Sequence, residues 1–266
     1  YTGDLGDVTL SKYNNALNGA GVGSVLLGSN SYTGGTLSTL MGDYSIMSTS
    51  YPSGNGAAYT QNAGAVSIGA LNSIESATSS NTTSGIANSI VGLANRTQNA
   101  NGALIYGAGN EITNSIATAS APTSGKSAKA AANSLRSSVK NNPGGAALAI
   151  GGGNKIDKSI RTQAIGVNNE ITGSLYHEDA QYIDVWGRKV LWSPEVNEYS
   201  SQYNMVDGYN NKVSNTNNAY VIGTNNTILG KTFSAGTKDG ILSKSDHTKA
   251  KESDNLVIIG DNHTMD

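Results

Sequence analysis

Residues able to carry catalytic or metal chemistry are few in this sequence and stand far apart. The three histidines, His177, His247 and His263, lie in unrelated contexts, without the spacing of metal ligands. Asp184 and Glu195 flank one aromatic-rich stretch, but nothing pairs them as a catalytic dyad of carboxylates. We therefore predict a protein that is not an enzyme and that binds neither a metal ion nor a cofactor.

The composition excludes several further classes of protein. The chain of 266 residues contains no Cys, so it has neither disulfides nor thiolate metal sites. Its net charge of −2 lacks the basic surplus of a nucleic-acid binder. The glycine run at 151–153 is followed by Asn154, without the Gly-Lys-Ser/Thr ending of a phosphate-binding loop. No apolar run is long enough to span a membrane as a helix.

Aromatic side chains offer another route to function, which is recognition. Both tryptophans fall within residues 175–203, where the segment 181–192 predicts a β-hairpin with Gly187-Arg188 as its two-residue turn. Because Tyr and Trp are frequent in binding hot spots, the candidate ligand-binding residues are Tyr176, Tyr182, Trp186 and Trp192. The alternative is that these rings pack on the rest of the chain or on a neighbouring chain.

A repeated sequence motif predicts the scaffold that positions this hairpin. The stretch 148–156 contains Ala-Ile-Gly-x-x-Asn-x-Ile, and the stretch 163–171 repeats it 15 residues later. Nine glycines align in this way: Gly28, Gly69, Gly92, Gly107, Gly151, Gly166, Gly208, Gly223 and Gly260. Asn follows three residues later in seven of them: Asn72, Asn95, Asn110, Asn154, Asn169, Asn211 and Asn226. In the first and last members Asn30 and Asn262 come one residue early.

This period fits one coil of a β-solenoid, which has two short strands and tight turns. Gly and Asn adopt left-handed backbone conformations cheaply, so Gly-x-x-Asn predicts a corner. Asn at the same corner of successive coils predicts a ladder of side-chain amides. The apolar residue before the glycine, such as Ile150 or Ile165, is predicted to point inward. The alternative is a β-sandwich with Gly and Asn in its loops, but a sandwich has no reason to repeat at a fixed period.

The repeats divide the chain into two parts. Residues 1–60 form an irregular N-terminal part, in which no coil beyond the one at Gly28 is assigned a register. Residues 61–266 form the coil region, interrupted by insertions at about 117–146, 175–203 and 231–254. The first insertion predicts a short helix over 124–140, and Lys244 to Lys251 in the third predicts a solvated loop. The abrupt ending at Asp266 suggests a fragment of a longer protein.

These motifs resemble the YadA-like head of trimeric autotransporter adhesins. The matching stretches are Ala147–Ser159, Gln163–Ser174, Leu104–Ser115, Tyr220–Leu229 and Val66–Ser76. Ala149-Ile150-Gly151 and Ala164-Ile165-Gly166 keep the family's Ala-Ile-Gly, whereas Asn stands where the family carries Ala-rich positions.

The resemblance implies an all-β protein, a left-handed parallel β-roll that assembles as a homotrimer. It also implies a stalk and an outer-membrane anchor beyond this segment, on the surface of a Gram-negative bacterium. The implied partners are receptors on host cells, matrix proteins or other bacteria. Two alternatives stay open from the sequence. One is a β-helical domain that binds or degrades polysaccharide, or a phage tail-fibre domain; the other is a structural or ice-binding solenoid.

Overall fold

The computed structural model describes residues 24–35, 37–49, 62–76, 84–116, 146–194, 196–238, 245–251 and 253–266, together with five residues between 130 and 137. Within these residues the protein is all-β, with short strands joined by turns and almost no helix. The helix predicted over 124–140 lies mostly outside the described residues, although Ala130, Ala132, Asn133, Arg136 and Ser137 have helical backbone.

The strands of the first two thirds of the chain are short and regular. They are β1 (Val25–Leu27), β2 (Tyr32–Thr33), β3 (Thr39–Met41), β4 (Ile46–Thr49), β5 (Val66–Ala70), β6 (Ser73–Ser76), β7 (Ser89–Leu93), β8 (Arg96–Gln98), β9 (Leu104–Ala108), β10 (Glu111–Thr113), β11 (Leu148–Gly152), β12 (Lys155–Asp157), β13 (Ser159–Ile160), β14 (Gln163–Val167) and β15 (Glu170–Thr172).

The remaining strands alternate between coils and inserted hairpins. They are β16 (Leu175–Glu178), β17 (Gln181–Val185), β18 (Arg188–Ser193), β19 (Val196–Tyr199), β20 (Ser201–Gln202), β21 (Met205–Tyr209), β22 (Lys212–Ser214), β23 (Tyr220–Thr224), β24 (Thr227–Leu229), β25 (Phe233–Lys238), β26 (Ser245–Lys249), β27 (Val257–Ile259) and β28 (Thr264–Met265).

Two parallel ten-stranded sheets run the length of the molecule. The first sheet has the order β1-β3-β5-β7-β9-β11-β14-β21-β23-β27, and the second has the order β2-β4-β6-β8-β10-β12-β15-β22-β24-β28. Each coil gives one strand to each sheet, and coils related in sequence pair in register, with Gly151 opposite Gly166 and Gly107 opposite Gly151. The predicted stack of β-solenoid coils is therefore confirmed.

Residues before position 50 contribute two of these coils. Strands β1 and β2 form the first coil, and β3 and β4 form a second coil that pairs with both neighbours. This second coil was not predicted from the sequence because Ser45, rather than Asn, follows Gly42 by three residues. Its glycine nevertheless occupies the same place as the others, since a Cβ on Gly42 would meet the backbone oxygen of Gly69.

The core is thin and takes one side chain from each strand of a coil. Ala149 of β11 and Ile156 of β12 are both fully buried, and the next coil repeats this with Ala164 and Ile171. The second-sheet members of this core are Met47, Ile74, Ile112, Ile156, Ile171, Val213 and Ile228. Burying one such Ile contributes about 1.5–3 kcal/mol to the free energy of folding. The stability of the stack is therefore the sum of many small contributions, one or two from each coil.

The predicted inward orientation of Ile150 and Ile165 is wrong. Side chains alternate along a strand, and the buried residues are Ala149 and Ala164. Ile150 points outward with 36% of its surface exposed, and Ile165 is partly exposed. Other coils place Ile105 or Val221 at the same inward position, and both are fully buried, so this position accepts small and large apolar side chains alike.

The repeated Asn forms a buried amide ladder, as predicted. The Nδ2 of Asn154 donates to the backbone oxygen of Gly166 at 2.8 Å and to the Oδ1 of Asn110 at 3.0 Å. The ladder runs through all seven predicted positions and ends at the backbone N–H of His263. At the start of the stack the ladder position is occupied by Ser31 and Ser45 rather than by Asn30. The hydroxyl oxygen of Ser31 accepts from the backbone N–H of Ser45, and that of Ser45 accepts from the backbone N–H of Asn72.

Glycine and the residue two places after it adopt the left-handed conformation at this corner. Gly166 has φ 108°, and a Cβ there would lie 2.0 Å from the backbone oxygen of Gly208 in the next coil. Asn168 has φ 57°, whereas the ladder residue Asn169 does not have positive φ. The corner was therefore placed correctly, but the buried Asn is selected for its hydrogen bonds rather than for its backbone conformation.

Candidate binding surface on the inserted hairpins

Residues 175–199 leave the coil stack as a two-part hairpin. Its base consists of β16 and β19, which pair antiparallel, and its outer part consists of β17 and β18, also antiparallel. We call residues 181–193 the distal hairpin. Two neighbouring strands alone are marginally stable in water, so the base must be held by other contacts.

Tyr199 provides one such contact at the base. Its hydroxyl donates to the backbone oxygen of Ile116 at 3.0 Å and accepts from the backbone N–H of Ile116 at 3.1 Å. The side chain is buried, and desolvation, which disfavours the phenolate, raises the pKa of Tyr199 to about 12. Tyr199 therefore ties the returning strand to the end of an earlier coil.

A second inserted hairpin, formed by β25 and β26, packs beside the base of the first. The ring of His247 stacks on the ring of Tyr176, with centroids 3.6 Å apart, and Phe233 meets both rings at 5.8 Å and 5.6 Å. The Nε2 of His247 lies 2.8 Å from the Oε2 of Glu198. These contacts join the two insertions into one unit beside the coil stack.

The predicted distal hairpin is present, but its turn is one residue earlier than expected. The turn residues are Trp186 and Gly187, because Val185 pairs with Arg188. Both have positive φ, 58° and 74°, as in a type I′ turn, which matches the twist of the strands. The Oδ1 of Asp184 accepts from the backbone N–H of Gly187 at 2.8 Å and stabilises this turn.

The distal hairpin exposes large apolar side chains on both of its faces. Tyr182 lies opposite Leu191, and on the other face Ile183 lies opposite Val190. At the tip, 97% of the surface of Trp186 is exposed. The exposed large apolar residues here are Tyr182, Val185, Trp186, Val190, Leu191 and Trp192. This arrangement offers flat apolar surfaces flanked by the charges of Asp184, Arg188 and Lys189.

The structure separates the four predicted ligand-binding residues into two groups. Tyr182, Trp186 and Trp192 lie together on the distal hairpin, whereas Tyr176 is half-buried in the cluster with His247. Tyr203, which ends the same aromatic stretch, accepts a hydrogen bond from Arg161 at 2.6 Å and lies under its guanidinium.

Sequence reasoning missed Phe233, His247 and Glu198 as members of this surface. The prediction of a solvated loop from Lys244 to Lys251 is wrong for residues 245–249, because these form β26 and the side chain of Lys249 is only 9% exposed. Lys251 is exposed as predicted, and Lys244 lies outside the described residues. Alternating charge is typical of exposed loops, but here it accompanies specific ion pairs. The one available signal was Phe233, the single Phe of the chain.

A second unusual surface is the outer face of the first sheet, which is apolar over most of its length. The residue before each repeat glycine lies on this face, and in the coils described it is Leu27, Met41, Ile68, Val91, Tyr106, Ile150, Ile165, Asp207, Ile222 and Ile259. Most of these side chains are exposed, up to 72% for Ile259. Monomeric proteins rarely expose a contiguous apolar face of this extent.

The outer face of the second sheet is charged. Arg96, Glu111, Lys155, Glu170 and Lys212 follow one another in register along β8, β10, β12, β15 and β22. Arg96 contacts Glu111 at 2.8 Å, and Lys155 contacts Glu170 at 3.3 Å. The hydrogen bonds and charge of Glu75 and Glu111 raise the pKa of Arg96 above its usual value. The two faces of the molecule therefore differ sharply in chemistry.

Comparison of the chain with protein-family models, with curated proteins and with solved structures found no match. Among the described residues no group of His, Asp and Glu side chains could hold a metal ion. The same residues include no helix that is long and apolar enough to cross a membrane.

Proposed function

We propose that this chain is the non-catalytic head of a bacterial surface adhesin. In this proposal the coil stack is a rigid left-handed β-roll, three copies pack side by side, and the distal hairpin contributes to receptor contact. The receptor belongs to a host cell, to the matrix or to another bacterium. The head stands on the outer surface of a Gram-negative cell, attached through segments outside this one.

The proposed receptor contact is based on the backbone conformation and the solvent exposure of Trp186. A bulky residue with φ 58° is uncommon and costs about 1–2 kcal/mol. Its ring is almost entirely exposed, so it gains little packing within the protomer in return. Tyr44 and Tyr203 also have positive φ, but they are only 52% and 47% exposed against 97% for Trp186. Near-complete exposure of an indole ring at a hairpin tip therefore distinguishes Trp186 as a candidate for an external contact.

The apolar outer face of the first sheet supports the assembly. Ile150, Ile222 and Ile259 all point away from their own coil and are exposed. Each coil has a small core, and a second apolar face buried between copies would add to it. The charged outer face of the second sheet suits the solvent side of such an assembly.

The resemblance to YadA-like heads supports the remaining elements, which are the handedness, the stalk and the cell-surface location. It is based on the repeated motif at Ala149-Ile150-Gly151 and Ala164-Ile165-Gly166. The stacked parallel coils are the architecture that this motif predicts, and exposed insertions on a rigid repeat scaffold are common sites of recognition.

The proposal is tested by binding of the purified, labelled chain to cultured host cells, to surfaces coated with matrix proteins, and to bacteria. We expect saturable binding to one of these, which unlabelled protein competes away. Folded protein that binds saturably to none of the three would contradict the adhesin proposal. Depolymerisation of a bacterial polysaccharide by the same preparation would favour the polysaccharide-degrading alternative.

A further inference from the structure

A buried amine, carboxylate and amide meet where the second inserted hairpin rejoins the coil stack. The Nζ of Lys249 lies 2.6 Å from the Oδ1 of Asp254, and these side chains are only 9% and 6% exposed. Asp254 also accepts from the backbone N–H of Asn217 at 2.9 Å, and its Oδ2 lies 3.4 Å from the Nδ2 of Asn217. The carboxylate of Asp254 therefore contacts both the amine of Lys249 and the side-chain amide of Asn217.

The amide of Asn217 is in an unusual state. Its Oδ1 is buried and has no hydrogen-bond partner, which costs about 1–3 kcal/mol. Phe233 pairs with Lys249 across β25 and β26, so the two side chains lie on the same face of this hairpin. Asn255, next to Asp254, donates its backbone N–H to the oxygen of Asn217 at 2.9 Å, which fixes the two segments against each other.

We propose that Lys249 and Asn217 become joined by an intramolecular isopeptide bond, with Asp254 transferring the protons. Such a bond would staple the second hairpin to the coil that begins at β23. The chain has no Cys and so cannot form a disulfide, whereas an amide cross-link between Lys and Asn side chains needs no Cys. This proposal does not depend on the adhesin function.

The reaction balances without any external reagent. Asp254 takes a proton from the Lys249 ammonium along the 2.6 Å hydrogen bond, and the freed Nζ lone pair attacks the Cγ of Asn217. The resulting tetrahedral adduct transfers its extra proton through Asp254 to Nδ2. The Cγ–Nδ2 bond then breaks, ammonia leaves with one proton as ammonium, and Asp254 returns to a carboxylate. Exclusion of water from this site protects the adduct from hydrolysis.

The experiment is the intact mass of the purified, folded protein, followed by sequencing of its tryptic peptides. We expect a mass lower than that of the sequence by one ammonia. The peptide 213–231 should stay joined to the peptide 245–251, because trypsin does not cleave after an acylated Lys249. The variant Asp254→Asn should have its full sequence mass, whereas the control Lys251→Arg, at a nearby exposed lysine, should still lack one ammonia.

Three results would overturn the proposal. A wild-type mass equal to that of the sequence would leave Lys249 and Asp254 as an ordinary buried ion pair. Loss of water, localised to a bond between Lys249 and Asp254, would remove Asn217 from the reaction. Loss of ammonia at an Asn other than Asn217 would assign the change to local cyclisation of that residue.

Discussion

The Oδ1 of Asn154 accepts hydrogen bonds from both the backbone N–H of Asn169, at 3.0 Å, and its Nδ2, at 3.1 Å. The same two bonds link Asn110 to Asn154 in the preceding pair of coils. The Oδ1 of each Asn thus accepts from the Asn of the next coil, and its own Nδ2 and backbone N–H donate to the Asn of the preceding coil. The ladder fixes the register of the stack, because a slip of one residue would break every member at once.

The first prediction concerns this ladder. Asn154→Ala leaves the backbone N–H of Asn169 and the backbone oxygen of Gly166 buried without partners, so we expect a loss of about 2–5 kcal/mol of unfolding free energy. The measurement is a urea unfolding curve. The control Asn168→Gly removes an exposed amide but keeps the left-handed backbone, and it should cost less than about 1 kcal/mol. Equal losses for both variants would contradict a structural role for the ladder.

The second prediction separates the two faces of β14. Ala164→Asp buries an unpaired charge and should abolish folding, which circular dichroism would show as loss of β-structure. Ile165→Asp changes the outward neighbour and should leave the coil folded while weakening any assembly through this face. Glu170→Lys, on the outer face of the second sheet, should be tolerated. If Ile165→Asp unfolds the chain and Ala164→Asp does not, the inside–outside assignment is wrong.

The third prediction concerns alkaline pH. The pKa of Tyr199 is raised in the folded protein to about 12, above about 10 in an unfolded chain. The neutral phenol therefore stabilises the fold below pH about 10, and this stabilisation, of order 2–3 kcal/mol, is lost as pH rises toward 12. Unfolding curves recorded between these pH values should show the loss, and Tyr199→Phe should lack that part of the pH dependence. An identical pH dependence in the variant would refute this role.

The fourth prediction concerns recognition by the distal hairpin. Trp186→Ala and Trp192→Ala, made separately, should each weaken receptor binding, by about tenfold or more if the ring is a hot spot. The melting temperature should change little for Trp186→Ala because that ring is exposed. A variant trimer that melts early while its folded fraction binds normally would assign the ring to packing between protomers instead.

The sequence predicted the coil stack and its ladder because these features repeat. Gly151 and Gly166 share their neighbours in sequence, and a fixed period leaves few other folds. It could not decide between Ala149 and Ile150 as the inward residue, because both are apolar and adjacent. In the preceding coil Ile105 is buried although Ile112 is buried in the same coil, so side-chain size alone does not indicate which of the two adjacent residues faces inward.

The insertions were less predictable for a different reason. The hairpin at Trp186 follows from local alternation, but its turn depends on the side chain of Asp184 as well as on Gly187. The contact of Tyr176 with His247 joins residues far apart in sequence, and neither lies in a repeat. Such a contact depends on how two irregular segments pack against each other, and no local sequence pattern specifies that packing.

The mass of the purified chain in solution, measured by light scattering, tests most directly whether the apolar outer face of the first sheet is buried between copies. We predict the mass of three chains at micromolar concentration. We also predict that Ile222→Glu, on the same face, yields folded monomers. A wild-type chain that remains a stable monomer at that concentration would contradict the trimeric head.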